Sequence, residues 1–149
     1  MEHPFKTGLP RNAHTEKLLG PVRAAAKQYL DTSVESLPFS QFCSYWRTGD
    51  RTGYEAYYIA HRRRMNVFTA MALSGEGDVW ISGLEDCLWA VCDEFTWALP
   101  AHIYDRDAAK IDTMETTVDL FAAETAFALS EIYALLKDRL SPLVRERVC

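Results

Sequence analysis

The residues best suited to chemistry gather in and around one stretch, Trp97-Ala98-Leu99-Pro100-Ala101-His102. His102 follows a proline in a loop, where its ring could project into a cleft. Imidazole titrates close to neutral pH and serves as a base or as the partner of a carboxylate. The competing reading of His102 is a structural hydrogen bond that holds the loop. Trp97 and Tyr104 offer flat faces for a ligand ring to stack on, or they plug the core beneath the loop. Asp93 and Glu94 carry acceptors for ligand hydroxyls, or they cap loop amides. Glu124 stands in the middle of a helix that is apolar on several sides. A carboxylate there needs a partner, and Arg63 or Arg64 is the expected one. Consecutive helix positions point in different directions, so Arg62, Arg63 and Arg64 do not form one basic patch. One arginine of the run is expected to pair inward and the others to be solvated.

The cysteines, Cys43, Cys87, Cys92 and Cys149, contain no C-x-x-C pair, and no histidine lies at zinc-ligand spacing from them. They read as buried, reduced thiols, with no metal and no cofactor expected. A formal net charge of −5 argues against nonspecific nucleic-acid binding, which needs a cationic face. It also cuts mildly against an anionic ligand. No apolar run approaches the roughly 20 residues of a membrane span. The amino terminus, Met1-Glu2-His3-Pro4-Phe5-Lys6, lacks the apolar stretch of a secretory signal. A cytoplasmic location is the expectation, or a secreted or periplasmic one if a signal has been removed.

Helices must position these groups. Residues 1–14 read as an irregular lead-in and residues 15–149 as one helical domain, with 48% hydrophobic residues, enough for a real core. Leu18, Leu19, Val22, Ala25, Ala26, Tyr29 and Leu30 share a helix face, but Pro21 interrupts it, so the regular helix is expected to begin near Gly20-Pro21. Phe39, Phe42, Cys43 and Trp46 mark a short helix, with Ser40 a candidate cap and Gly49 its stop. A long helix runs from Tyr54 to Leu73, and Asp78 is placed to cap the next, Val79 to about Cys92. A loop from Asp93 to about Thr117 follows, its first half packed and the stretch Asp105 to Thr113 exposed and mobile. Val118 to Lys137 is apolar on more than one side, the mark of a helix sandwiched between neighbours. Ser141-Pro142 opens a last helix, cut at Cys149, which suggests a piece of a longer protein. Strand signals are nearly absent. The fold class expected is all-α, with antiparallel helical hairpins joined by short turns.

Several blocks in the same order resemble heparinase II/III-like proteins. They are Arg47-Thr48-Gly49-Asp50-Arg51 with Tyr54-Glu55 and the arginine run, then Leu88 to His102, then Asp119-Leu120-Phe121-Ala122-Ala123-Glu124-Thr125, and finally Asp138 to Arg147. The likeness covers most of the chain from about residue 15. Ile103, where a polar residue is expected, and Phe95, at a proline-like turn position, depart from the pattern. The resemblance implies the amino-terminal part of an incomplete α/α toroid, followed in full-length members by further toroid helices and a β-sandwich. It also implies an acidic, uronic-acid-containing polysaccharide as partner, cleaved by β-elimination. That reaction needs a group to neutralise the uronate, a base for the carbon-bound proton and an acid for the leaving oxygen. Residues 1–149 supply only part of such a set, so by themselves they are expected to be inactive. The alternative is a noncatalytic helical module that binds a protein partner or itself through exposed helix faces.

Overall fold

The computed structural model describes residues 5, 8–75, 77–103, 114 and 116–149, and these contain helices and no strand. Helix α1 (Ala13–Leu30) runs unbroken through Gly20-Pro21, two residues into what was expected to be lead-in. Asn12 caps it, its side-chain oxygen accepting from the Thr15 amide at 2.9 Å. Proline removes one amide donor and crowds the preceding turn, which should have delayed the helix start. Two features lower that penalty. Pro21 and Lys17 are both exposed, so water can serve the carbonyl that loses its partner. Gly20, directly before the proline, has no Cβ to clash with its ring.

Phe39 to Thr48 forms two short helices, α2 (Phe39–Phe42) and α3 (Ser44–Thr48), divided at Cys43. Ser40 lies inside α2 and makes no cap; Pro38 holds that position. Gly49 ends α3 with a φ of 80°, the left-handed geometry glycine adopts without strain. Helix α4 (Thr52–Ser74) buries Tyr54, Tyr58, His61, Met65, Phe68, Met71 and Ala72 along one stripe, and Gly75 at φ 76° ends it.

Helix α5 (Val79–Cys92) returns along α4 after a short turn. Asp78 stands at its N-cap position, but its carboxylate accepts from Arg139 at 3.3 Å instead of from a helix amide. Gly83 lets the pair close: a Cβ there would lie 2.7 Å from the ring of the fully buried Phe68. Helix α1 lies antiparallel to α4. Leu9 donates its amide to the Leu73 carbonyl at its start, and Arg64 donates to the Tyr29 carbonyl at 2.7 Å at its end.

Helices α6 (Leu120–Leu136) and α7 (Pro142–Val148) close the core with Leu129, Ile132, Leu136, Leu140 and Val144 packed against Met65, Phe68, Leu84, Leu88 and Val91. Each such side chain contributes roughly 1.5–3 kcal/mol by leaving water. The sandwiching expected of α6 is not seen among the described residues. Its inner stripe is buried, but Leu120 is 76% and Phe127 67% exposed. Of the cysteines, Cys43 and Cys87 are buried, Cys92 is half-buried and Cys149 exposed; all are free thiols. Burial pushes the Cys87 thiol up to about 12, so it stays protonated and apolar in character. No described helix is long and apolar enough to cross a membrane.

Replacing Pro21 with alanine should restore the missing backbone bond without touching the core. Thermal or urea unfolding should show a gain of about 1–3 kcal/mol. A loss of stability would mean that Pro21 shapes the path of α1.

Candidate functional site

The described part of the loop after α5 is pinned at several points. Glu94 turns inward, its side chain 3% exposed, and takes both terminal nitrogens of Arg62 at 2.6 Å. His61 Nδ1 lies 3.2 Å from the same carboxylate. The Arg62 guanidinium stacks on the Tyr58 ring, 3.5 Å from its centroid, and donates from Nε to Thr125 Oγ1 at 3.3 Å. The Tyr58 hydroxyl is 2.9 Å from the Trp97 carbonyl and 2.9 Å from Thr125 Oγ1. Burial raises the Tyr58 phenol above its usual range and keeps it a donor.

The loop's far end is fixed by Asp119, the N-cap of α6. One of its oxygens accepts from the Ala122 amide at 2.7 Å. The other accepts from the Leu99 amide at 3.1 Å and faces His102 Nδ1 at 2.6 Å. Burial alone would raise the Asp119 carboxyl, but the Ala122 amide, the His102 ring and the Leu99 amide together hold it below the ordinary carboxylate range. His102 is one-third exposed and lies against the Phe121 ring, with centroids 5.7 Å apart. An ionised carboxylate only accepts, so Nδ1 carries a hydrogen and Nε2 is left for a ligand or for water.

The other sequence candidates are placed differently. Trp97 is half-buried and packs against the core, its indole N–H donating to the Val91 carbonyl at 2.8 Å. Asp93 is exposed and pairs with Arg147, whose guanidinium lies over the Trp89 ring. Glu124 is exposed and makes no ion pair among the described residues, so the expected partnership with Arg63 or Arg64 is absent. Arg62 is the arginine that pairs inward, with Glu94. Arg64 is not solvated either; it donates to the carbonyls of Tyr29, Thr32 and Ser33 and closes the end of α1. Tyr104 and the stretch Asp105 to Thr113 lie outside the described residues. Ile103, apolar where a polar residue was expected, is buried with Ala98 and Ala122.

Beside the loop runs an open groove of about 1270 Å³ between the segment 33–46 and α5. Phe39, Trp89 and Phe95, all substantially exposed, line it with Phe42 and Trp46. Asp93, Glu94 and His61 also reach it, and among the described residues no lysine or arginine lines it. Trp89 and His61 were not singled out as site residues from the sequence. Trp89 faces away from the apolar stripe of α5, a position that on its own reads as surface. Among the described residues no cluster of His, Cys, Asp or Glu has the makings of a metal site. Compared with known proteins, the sequence matches no family model and no curated protein.

Asp119→Ala removes the α6 cap and the loop anchor together. Caps of this kind contribute about 0.5–2 kcal/mol, and the bonds to Leu99 and His102 add to that. Denaturant unfolding near neutral pH should show a loss of about 2 kcal/mol. Because the folded carboxyl titrates lower than the unfolded one, its contribution is complete above the unfolded value of about 4. It fades as pH falls through the folded value. The gap between parent and variant should therefore narrow on acidification below about pH 4; a gap that widens would contradict this assignment.

Proposed function

We propose that this chain is the amino-terminal part of an incomplete α/α toroid in a heparinase II/III-like protein, where it forms one wall of a cleft for an acidic polysaccharide cleaved by β-elimination. The observation that carries the reading is the His102–Asp119 pair. The carboxylate fixes the ring and its tautomer, as catalytic bases require, and His102 stands at a partly exposed corner of a pinned loop. There it pairs with the uronate carboxylate or takes the carbon-bound proton. The remaining roles, neutraliser and acid to the leaving oxygen, fall to residues outside this chain. The antiparallel pairs α1–α4 and α4–α5 support the hairpin part of the reading, and the uncovered outer face of α6 supports further helices packing there. The described lining of the aromatic groove carries no cation to pair with a uronate. The glycan wall is accordingly the His102 side of the loop.

A chain continuing past Cys149 through the rest of the toroid and the β-sandwich should generate the ultraviolet absorbance of unsaturated sugar from uronic-acid polymers. Residues 1–149 alone should not. In the longer chain His102→Ala should lower turnover by about 10²–10⁴. Turnover by residues 1–149 alone, or turnover indifferent to His102, would refute the assignment.

The outer face of α6 also favours a second reading, a noncatalytic helical module that associates with a partner or with itself. Light scattering across a concentration series separates the two. Self-association that Phe127→Lys abolishes, without loss of helix content, supports the interaction module. A monomer at all concentrations counts against the self-associating form.

A further inference from the structure

Among the described lining residues, the charged groups of the aromatic groove that are not already paired are carboxylates. Glu35 lies on one wall and Asp86 on the other; both are exposed and neither has an ion-pair partner among the described residues. Asp93, at the rim, is paired with Arg147. Glu94, deeper in, is fully engaged by Arg62 and His61. Among the described residues no lysine or arginine lines the groove.

His61 adds an independent observation. It is 7% exposed and lines the groove. Its Nδ1 faces Glu94, which as a carboxylate has only lone pairs to offer, so Nδ1 carries the ring hydrogen of the neutral imidazole. Nε2 is then a bare acceptor. It is shielded from bulk water and has no hydrogen-bond partner among the described residues. A buried polar atom without a partner carries a free-energy penalty that a bound donor relieves.

We propose that this groove binds an organic cation: a primary ammonium group on an apolar, aromatic body. Each part of the ligand follows from one part of the wall. The body lies against Phe39, Trp89 and Phe95, whose exposed ring surface is removed from water on binding. The positive charge sits between Glu35 and Asp86, and its N–H groups supply the donor that His61 Nε2 lacks. Anions are disfavoured, because nothing in the described lining offsets the carboxylates. Sugars fit poorly, since their many hydroxyls need more partners than a mostly apolar wall supplies. This site is independent of the polysaccharide reading, which rests on His102.

The test uses three probes of similar size: 2-phenylethylammonium, 2-phenylethanol and phenylacetate. Binding to the unaltered chain is followed through the fluorescence of the groove tryptophans, Trp46 and Trp89, and through the ¹⁵N signal of His61 Nε2. The ammonium should bind saturably, more weakly as salt is raised, and should shift the Nε2 signal. The alcohol should bind several-fold more weakly and phenylacetate not at all. Glu35→Gln and Asp86→Asn, both at exposed positions, should each weaken the ammonium by about two- to fivefold and leave the alcohol unchanged. Equal binding of ammonium and alcohol would overturn the proposal. So would the absence of saturable ammonium binding, or an ammonium affinity that both substitutions leave intact.

Discussion

A carboxylate buried in a helical core holds this structure in register. Glu94 leaves water almost entirely, a step that costs several kcal/mol unless the charge is matched and its lone pairs are occupied. Both conditions are met from a single turn of α4. Arg62 presents the two ends of its guanidinium, and His61, one residue earlier, presents a ring nitrogen. The arginine is fixed in turn by Tyr58 beneath it and Thr125 beside it. Thr125 accepts from Arg62, and the Tyr58 and Thr125 hydroxyls, 2.9 Å apart, have the Trp97 and Phe121 carbonyls as further acceptors for their hydrogens. Helix α4, the loop after α5 and the first turn of α6 thus share one set of protons. A shift in any of the three strands a buried charge or a buried hydroxyl.

That constraint explains how the loop divides its side chains. With Glu94 drawn into α4 and the Trp97 carbonyl held by Tyr58, the Trp97 ring has nowhere to go but inward, where Val91 takes its N–H. The Trp46 indole then secures the Pro100 carbonyl at 3.3 Å, and Asp119 secures Leu99. Between Glu94 and Ile103, successive anchors leave Phe95 and His102 as the exposed side chains. A segment pinned at so many points is rigid scaffolding for those two positions and not a connection between helices.

Much of this could be read from residue spacing, and the failures have physical causes. The stripe on α4, the glycine stops at Gly49 and Gly75 and the proline start of α7 follow from local rules, and the structure has them. Pro21 misled because a proline penalty was assessed without knowing that the broken turn faces water. Asp78 misled because a distant arginine competes for the carboxylate that would have capped α5. The choice of Arg62 over its neighbours turns on helical phase relative to a loop more than thirty residues away, which no local pattern contains. The aromatic groove was invisible for a similar reason. Its walls come from segments separated by some fifty residues, and each aromatic taken singly reads as either core or surface.

Charge shows the same dependence on pairing. The chain carries 16 basic and 21 acidic side chains, a modest imbalance that says little about any one surface. What sets the local sign is which arginines are committed elsewhere. Arg62 is committed to Glu94, Arg64 to the carbonyls that end α1, and Arg139 to the Ala72 carbonyl at 2.6 Å and to Asp78. Arg147 is held at the rim by Asp93 and the Trp89 ring. Arg62 serves a carboxylate that folding would otherwise leave unmatched, Arg64 serves the carbonyls at a helix end, and none of the four arginines lines the groove. Its free charges among the described residues are carboxylates, a stronger bias than the net charge conveys. The same acceptors that stabilise the helices thus decide which sign of ligand the surface beside them can take.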